Sequence, residues 1–215
     1  MSEDAKAGLG PGLIKSMLIV IEGCVGVGKS TIAAGLAPLR NSNLLLEDFE
    51  ANPFLRAFYK EPLANAMETE FAFLLQHFHQ LKAQVHLASH AEIVADFHLG
   101  KDLLYADLNL SDSRVKRLFV ELYNICREKT PQPDVMICLL ASTDFLIERI
   151  RRRKREFEMS INRGYLDAVN GAYEELFARY PGRKLRLRMD EWDFVKEPNL
   201  LNRLSSMIDE LLDQL

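Results

Sequence analysis

One eight-residue motif constrains this chain more than any other feature. Residues 23–30 read Gly-Cys-Val-Gly-Val-Gly-Lys-Ser, which has the spacing G-x-x-x-x-G-K-S. An apolar run at 17–21 precedes the motif and predicts a buried strand, and residues 31–37 predict a helix. Glycines let such a turn approach an anion closely, and the helix N-terminus presents its free N–H groups to that anion. We therefore expect a phosphate-binding loop for a nucleoside triphosphate, in preference to a chance glycine turn between a strand and a helix.

The residue types of this loop each predict a contact. Backbone N–H groups would surround the phosphates, the Lys29 ammonium would lie on the outer phosphates, and the Ser30 hydroxyl would be a ligand of Mg²⁺. The residues predicted to bind the phosphates of ATP are Gly23, Cys24, Val25, Gly26, Val27, Gly28, Lys29, Ser30 and Thr31.

Length and composition limit what surrounds the loop. The 215 residues, 48% of them hydrophobic, predict a flexible arm over 1–16 and a single domain over 17–215. A net charge of −4 argues against a nucleic-acid-binding protein. The three cysteines have neither disulfide nor zinc spacing, which favours a reducing compartment. No apolar run has membrane-spanning length, and no signal pattern is evident, so we expect no membrane partner and a cytoplasmic location.

The rest of the chain alternates between predicted strands and helices. Strands are predicted at 44–46, 93–96, 135–140 and 184–189, and the main helices at 53–60, 65–89, 111–130, 143–150, 165–179 and 197–215, with a further helical turn or two at 101–106. This alternation predicts an α/β fold, in which a parallel sheet is covered by helices. Glu47 and Asp96 come at the ends of two predicted strands, where ligands bind in such sheets.

Three further stretches, taken with the loop, resemble the deoxynucleoside kinase family. They are the segment Glu-Asp-Phe-Glu-Ala-Asn-Pro-Phe-Leu at 47–55, the helical residues Tyr59 and Glu70, and the arginine-rich run at 149–158 that is followed by Tyr165 and Leu166. The chain is most similar to a divergent bacterial-type branch. The resemblance implies a P-loop kinase fold, with a five-stranded parallel sheet flanked by helices and an arginine-rich lid at about 149–160. It also implies transfer of the γ-phosphoryl group of ATP to the 5′-hydroxyl of a deoxynucleoside, with Mg²⁺, and a homodimer formed through helices such as 65–89.

The resemblance assigns roles to residues that match the family's motifs. Glu47 matches the general base, and the basic run matches a lid that closes over phosphates, in preference to a solvated helix face or a nucleic-acid patch. The implied catalytic residues are Glu47, Lys29, Arg149, Arg153 and Arg155. The implied substrate-binding residues are Glu47, Tyr59, Glu70, His77, Asp96, Asp102 and Glu158, with Tyr59 and Glu158 on the 3′-hydroxyl. Asp193 and Phe194 match the loop on the adenine of ATP, and Asp96 joins Ser30 as a metal ligand, directly or through water.

The chain departs from the family at two places. Phe97 and His98 stand where an arginine and a serine follow the acid in the family. The expectation is that His98 or a lid arginine substitutes for the absent arginine, or that the rate is low. Glu70 and His77 replace the glutamine and the arginine that face the nucleobase. An ionised carboxylate only accepts hydrogen bonds, which suits the two adjacent donors of guanine. We therefore predict a purine preference, for deoxyguanosine or deoxyadenosine, with deoxyguanosine slightly favoured.

Two alternatives stay open at this point. A nucleoside monophosphate kinase of the thymidylate type would share the fold and the loop, although the acid before Asn52 and Pro53 favours a nucleoside acceptor. A non-catalytic nucleotide-binding partner subunit would explain the absent arginine at Phe97, but it has little use for Glu47, Asp96 and the lid arginines.

Overall fold

The computed structural model describes residues 17–87, 91–194, 196–197 and 199–213. The predicted arm at 1–16 lies outside these residues. The five strands found in them are β1 (Met17–Gly23), β2 (Asn43–Leu45), β3 (Glu92–Ala95), β4 (Val135–Leu140) and β5 (Lys184–Arg188).

Eight α-helices connect and flank these strands in the same residues. They are α1 (Lys29–Leu39), α2 (Leu55–Lys60), α3 (Pro62–Leu87), α4 (Gly100–Asn109), α5 (Ser113–Glu128), α6 (Thr143–Arg153), α7 (Arg163–Arg179) and α8 (Asn199–Leu212). Short 3-10 turns lie at Phe49–Ala51 and Glu156–Ser160. Over the described part of the chain, no helix combines the length and the apolar character needed to cross a bilayer.

The strands form one parallel sheet in the order β2-β3-β1-β4-β5, which confirms the predicted α/β fold. β1 is central and has apolar side chains on both faces. Leu18 and Val20 belong to a core with α3, α4 and α5, whereas Ile19 and Ile21 belong to a core with α1, α6, α7 and α8. Because both faces are covered, the carboxyl ends of the strands are the accessible edge of the sheet.

Two helices begin later than predicted, each after a polar side chain that accepts a hydrogen bond from the backbone two residues on. Asp112 was expected in the first turn of a helix from Ser111, but its carboxylate accepts a hydrogen bond from the Arg114 N–H at 2.8 Å and precedes α5 as its N-cap. Similarly, Asn52 Oδ1 accepts from the Phe54 N–H at 3.0 Å, and α2 begins only after this turn. Both helices begin two residues later than predicted, and the strands β2 and β3 each lie one residue earlier than predicted.

The turn between β1 and α1 depends on glycine. Gly26 has φ 87° and Gly28 has φ 112°, which side-chain-bearing residues rarely adopt. A Cβ atom on Gly26 would also lie 2.9 Å from Ile150 Cγ1 in α6. The loop therefore packs against the helix that begins the predicted lid.

Candidate active site

A cavity opens at the carboxyl ends of the three strands β1, β2 and β3. The loop after β1, Glu47 after β2 and Asp96 after β3 form its floor, and α3, α4 and the turn Glu156–Ser160 form its walls. The predicted site residues that line it are Val25, Gly26, Lys29, Ser30, Glu47, Tyr59, Glu70, His77, Asp96, Asp102, Arg153, Arg155 and Glu158. Residues far apart in sequence thus meet in one pocket.

The carboxylate of Glu47 is held from both sides in this cavity. Its Oε2 accepts a hydrogen bond from Lys101 Nζ at 2.7 Å, and its Oε1 lies 3.1 Å from His77 Nε2. The backbone N–H of Glu47 donates to Asp96 Oδ1 at 2.7 Å. Burial alone would raise the pKa of Glu47, but the attraction of Lys101 and the hydrogen bond from His77 hold that pKa well below its usual range. Glu47 is therefore an ionised acceptor at neutral pH.

His77 connects Glu47 to a second carboxylate. Its ring is fully buried, and Nδ1 lies 2.7 Å from Asp102 Oδ1 on α4. Burial lowers the pKa of His77, but Asp102 and Glu47 outweigh this effect and raise the pKa to about 9. Both ring nitrogens then carry protons and donate. Phe97 packs on the imidazole with a centroid distance of 4.8 Å and restricts its tilt.

Lys101 was not among the predicted site residues. For the contact with Glu47, the expected substitutes His98 and a lid arginine were wrong, because Lys101 makes this contact. The other alternative, a low rate, stays a prediction. His98 Nδ1 instead accepts from the Gly100 N–H at 3.1 Å, whereas Lys101, from the first turn of α4, reaches Glu47. The available signal was a lysine directly before Asp102, at the start of a helix that follows a strand-end acid.

The predicted metal ligands converge beside the loop. The Ser30 hydroxyl donates a short hydrogen bond to Asp96 Oδ2, so the two oxygen ligands point to one place. Magnesium prefers such oxygen ligands and completes its shell with water and substrate phosphates, so these residues fit the ion. The Lys29 ammonium lies in the same region, where it donates to the carbonyl oxygen of Gly23 at 2.8 Å and that of Cys24 at 3.3 Å.

Glu70 lies deeper in the cavity, on α3. It is buried, and its Oε1 accepts from Asn109 Nδ2 at 2.7 Å. Burial, assisted by the charge of Asp102, raises the pKa of Glu70 to about 8. The sequence argument rested on an ionised carboxylate, whereas burial at this position favours the protonated form. Asn109 was not predicted, and it is positioned by α4.

The predicted lid arginines contact an acid that also lines the cavity. Arg153 Nε lies 2.5 Å from Glu158 Oε2, and Arg155 Nη1 lies 3.4 Å from Glu158 Oε1. The Arg155 guanidinium also sits 4.1 Å from the centroid of the Phe49 ring. Tyr59 packs against the ring of Phe157, with centroids 5.6 Å apart. Tyr59 and Glu158, the residues predicted to bind the 3′-hydroxyl, therefore line the same cavity as these two lid arginines.

A second cleft lies on the other side of the loop. Thr31, Arg149, Asp193 and Phe194 line it, so the predicted adenine loop and the third lid arginine lie here and not in the first cavity. Trp192 was not predicted, and its ring lies 5.6 Å from that of Phe194 at an angle of 32°. Flat apolar rings in such a cleft suit stacking on a base.

Glu22 is a further acidic group that the sequence did not single out. It is 1% exposed, and it accepts hydrogen bonds from the His98 N–H at 2.7 Å and from the Tyr173 hydroxyl at 3.3 Å. Burial raises the pKa of Glu22 to about 7, although Lys101 and Lys29 oppose the shift. The carboxyl group thus lies behind the floor of the site and contacts the segment after β3.

Comparison with known proteins places this geometry in a family. A family model described as deoxynucleoside kinase matches residues 19–213. The chain is 28% identical to the deoxyguanosine kinase of Bacillus subtilis over 201 residues, which cover 90% of this chain and 97% of the relative. It is 27% identical to the deoxyadenosine kinase of Lactobacillus acidophilus, which covers 92% of this chain and 97% of that protein. A structure of deoxyadenosine kinase from M. mycoides with the products dCMP and dCDP matches with a TM-score of 0.77 at 27% identity, covering 88% of this chain and all of that one.

Proposed function

The chain belongs to the deoxynucleoside kinase family and is a kinase, and on this premise we propose that it phosphorylates the 5′-hydroxyl of purine deoxynucleosides with Mg-ATP. The resemblance predicted from the sequence is thereby confirmed. A match over residues 19–213 with relatives named as kinases favours this function over a thymidylate-type kinase and over a non-catalytic subunit. The observation that carries the proposal is the Glu47 carboxylate, paired with Lys101 at 2.7 Å, in the cavity that also contains Lys29 and Ser30.

Glu47 is the proposed general base. As the 5′-oxygen forms its bond to the γ-phosphorus, the bond between that phosphorus and the β–γ bridging oxygen breaks, and ADP leaves. The hydroxyl proton goes to a Glu47 oxygen. Such a base must lie within hydrogen-bond reach of its proton, and Glu47 lines the same cavity as the phosphate-binding loop.

Cations would stabilise the charge on the transferred group. We expect Lys29 to leave its own loop carbonyls for the outer phosphates, and Arg153 and Arg155 to turn from Glu158 towards them. Ser30 and Asp96 would hold Mg²⁺, which, when bound, neutralises phosphate charge. Arg149 would approach the nucleotide from the second cleft, where Phe194 would contact the adenine.

The proposed purine preference follows from Glu70. With a pKa of about 8, its carboxyl group offers one donor and one acceptor at neutral pH, which complements the acceptor and donor on the edge of adenine. After loss of the proton it offers two acceptors, which complement the two donors of guanine. Cytosine also presents an acceptor beside a donor, so relatives that are deoxyguanosine and deoxyadenosine kinases add the support for a purine.

We further infer a magnesium-dependent, cytoplasmic homodimer whose described residues form one domain. The exposed apolar side chains of two neighbouring helices support a dimer, because Leu63 and Leu75 on α3 and Leu118 and Ile125 on α5 are between 50% and 89% exposed. Light scattering coupled to size exclusion would test this inference, and a mass of one chain at micromolar protein would contradict it.

Steady-state rates on each deoxynucleoside test the proposal directly. We expect ATP-dependent formation of purine deoxynucleoside monophosphates, and a loss of about 10²- to 10⁴-fold in kcat for Glu47→Gln because the base is removed. Glu210→Gln, an exposed carboxylate on α8, is the matched control and should retain wild-type rates. Activity on nucleoside monophosphates alone, or an unchanged kcat in Glu47→Gln, would contradict the proposal.

A further inference from the structure

Lys101 is a cation in an unfavourable place. Its side chain is 8% exposed, and it belongs to the first turn of α4, where the helix dipole disfavours positive charge. Burying a charge is costly unless it is paired. Its hydrogen-bonded partner is Glu47, and the nearby Glu22 carboxyl group adds attraction. Because burying the ammonium destabilises the fold, we attribute the lysine at this position to a role in the active site.

The pairing constrains the Glu47 carboxylate almost completely. One oxygen receives the hydrogen bond from Lys101 and the other contacts His77, so the plane of the carboxylate cannot rotate without breaking a contact. His77 is itself held by Asp102 and packed against Phe97. Phe97 brings only an apolar ring, and the second cation on Glu47 comes from α4.

We propose that Lys101 is a positioning residue for phosphoryl transfer, whose ammonium fixes the orientation of the Glu47 carboxylate towards the substrate hydroxyl. The inference rests on the proposed function, in which Glu47 is the general base. Lys101 acts through Glu47 and has no separate contact with the transferred phosphoryl group. Its removal therefore lowers the rate of the chemical step and leaves nucleoside binding nearly unchanged.

A double-mutant cycle distinguishes this positioning role from direct action on the substrate and from a purely structural role. Initial rates at saturating Mg-ATP give kcat and the nucleoside KM for the wild type, Lys101→Met, Glu47→Gln and the double variant. Lys101→Arg tests rescue by another cation. Lys116→Met, whose ammonium pairs with Asp107 at 3.0 Å outside the cavity, is the matched control. Urea unfolding verifies that each variant is folded, and Lys101→Gln replaces the Met variant in the cycle if that variant is not.

The proposal predicts a specific pattern of effects. Lys101→Met should lower kcat by about 10- to 100-fold, the effect expected of a misplaced catalytic group, while KM changes by less than about threefold. In the Glu47→Gln background the same substitution should lower kcat by less than about threefold, because residues that act as a unit are not additive. Lys101→Arg should recover part of the loss, and Lys116→Met should retain the wild-type rate.

Other patterns would overturn the proposal in distinguishable ways. Losses that multiply in the double variant would mean that Lys101 acts on the substrate directly. A wild-type kcat in Lys101→Met, or a loss confined to KM, would mean that the ion pair is structural or serves binding. A wild-type kcat in Glu47→Gln would mean that Glu47 is not the general base, which contradicts the proposed function itself and not only the role of Lys101.

Discussion

Replacing Glu22 by glutamine should make the stability of the protein less dependent on pH. The carboxyl group is 1% exposed, and burial is the main reason that its pKa rises from 4.5 to about 7. The folded protein therefore holds this proton more tightly than the unfolded chain does. The contribution to stability is complete below pH 4.5 and is lost progressively as the pH rises to about 7. Glutamine has a similar shape and does not titrate.

The magnitude follows from the shift. One pKa unit corresponds to about 1.4 kcal/mol, so the full shift of Glu22 amounts to about 3 kcal/mol, of which about 2.5 kcal/mol falls between pH 5 and pH 8. Glutamine changes the hydrogen bonds to the His98 N–H and the Tyr173 hydroxyl, but that loss is nearly independent of pH. The difference in free energy of unfolding, Glu22→Gln minus wild type, should therefore rise by about 2.5 kcal/mol over this range.

Urea unfolding at several pH values measures this difference. Glu210→Gln, an exposed carboxylate, provides the control, and its difference from the wild type should stay flat. A flat curve for Glu22→Gln would show that Glu22 has an ordinary pKa in the folded protein. The curve would also be flat if Lys101 and Lys29 held the folded-state pKa below 4.5, because that contribution changes only at lower pH, and a flat curve would therefore refute the reasoning from burial.

Three further substitutions test the loop, the departure at Phe97 and the nucleobase pocket. Gly26→Ala should lower the free energy of unfolding by about 1–3 kcal/mol and weaken ATP binding, because φ is 87° at this position. Gly171→Ala in α7 is the control, since its Cβ would meet no atom within 4 Å, and thermal unfolding with and without ATP compares the two variants. Phe97→Arg should destabilise the protein by about 3–5 kcal/mol and not raise kcat, because the residue is fully buried; urea unfolding and initial rates check this. The ratio of kcat/KM for deoxyguanosine to that for deoxyadenosine should rise as the pH passes about 8, where Glu70 loses its proton, and should stay flat in Glu70→Gln.

The parts of the site that the sequence predicts are those whose position follows from chain connectivity. The loop lies between a strand and a helix, and Glu47 and Asp96 follow β2 and β3 directly. Once the sheet is parallel, all of these positions must lie at one edge. The buried strands could also be predicted, because a parallel sheet that is covered on both faces needs continuous apolar runs such as that of β4.

The missed residues depend on tertiary contacts that no local pattern encodes. Lys101 is 54 positions from Glu47 in sequence, and the two meet because β2 and β3 are neighbours. Glu22 stands in an apolar strand, and its partners come from the segment after β3 and from α7. The charge state of Glu70 also depends on burial, which the sequence did not reveal.

The cations of the site fall into two groups with different exposure. The side chains of Arg153 and Arg155 are 31% and 38% exposed where they pair with the buried Glu158, so solvent screens the arginine side of these contacts. The Lys101 side chain is only 8% exposed in its pair with Glu47. Removing one partner of a buried pair is far more costly than breaking an exposed one. Phosphates entering the cavity would therefore displace the lid arginines from Glu158 more readily than Lys101 from Glu47, as our proposal of Glu47 as an oriented base requires.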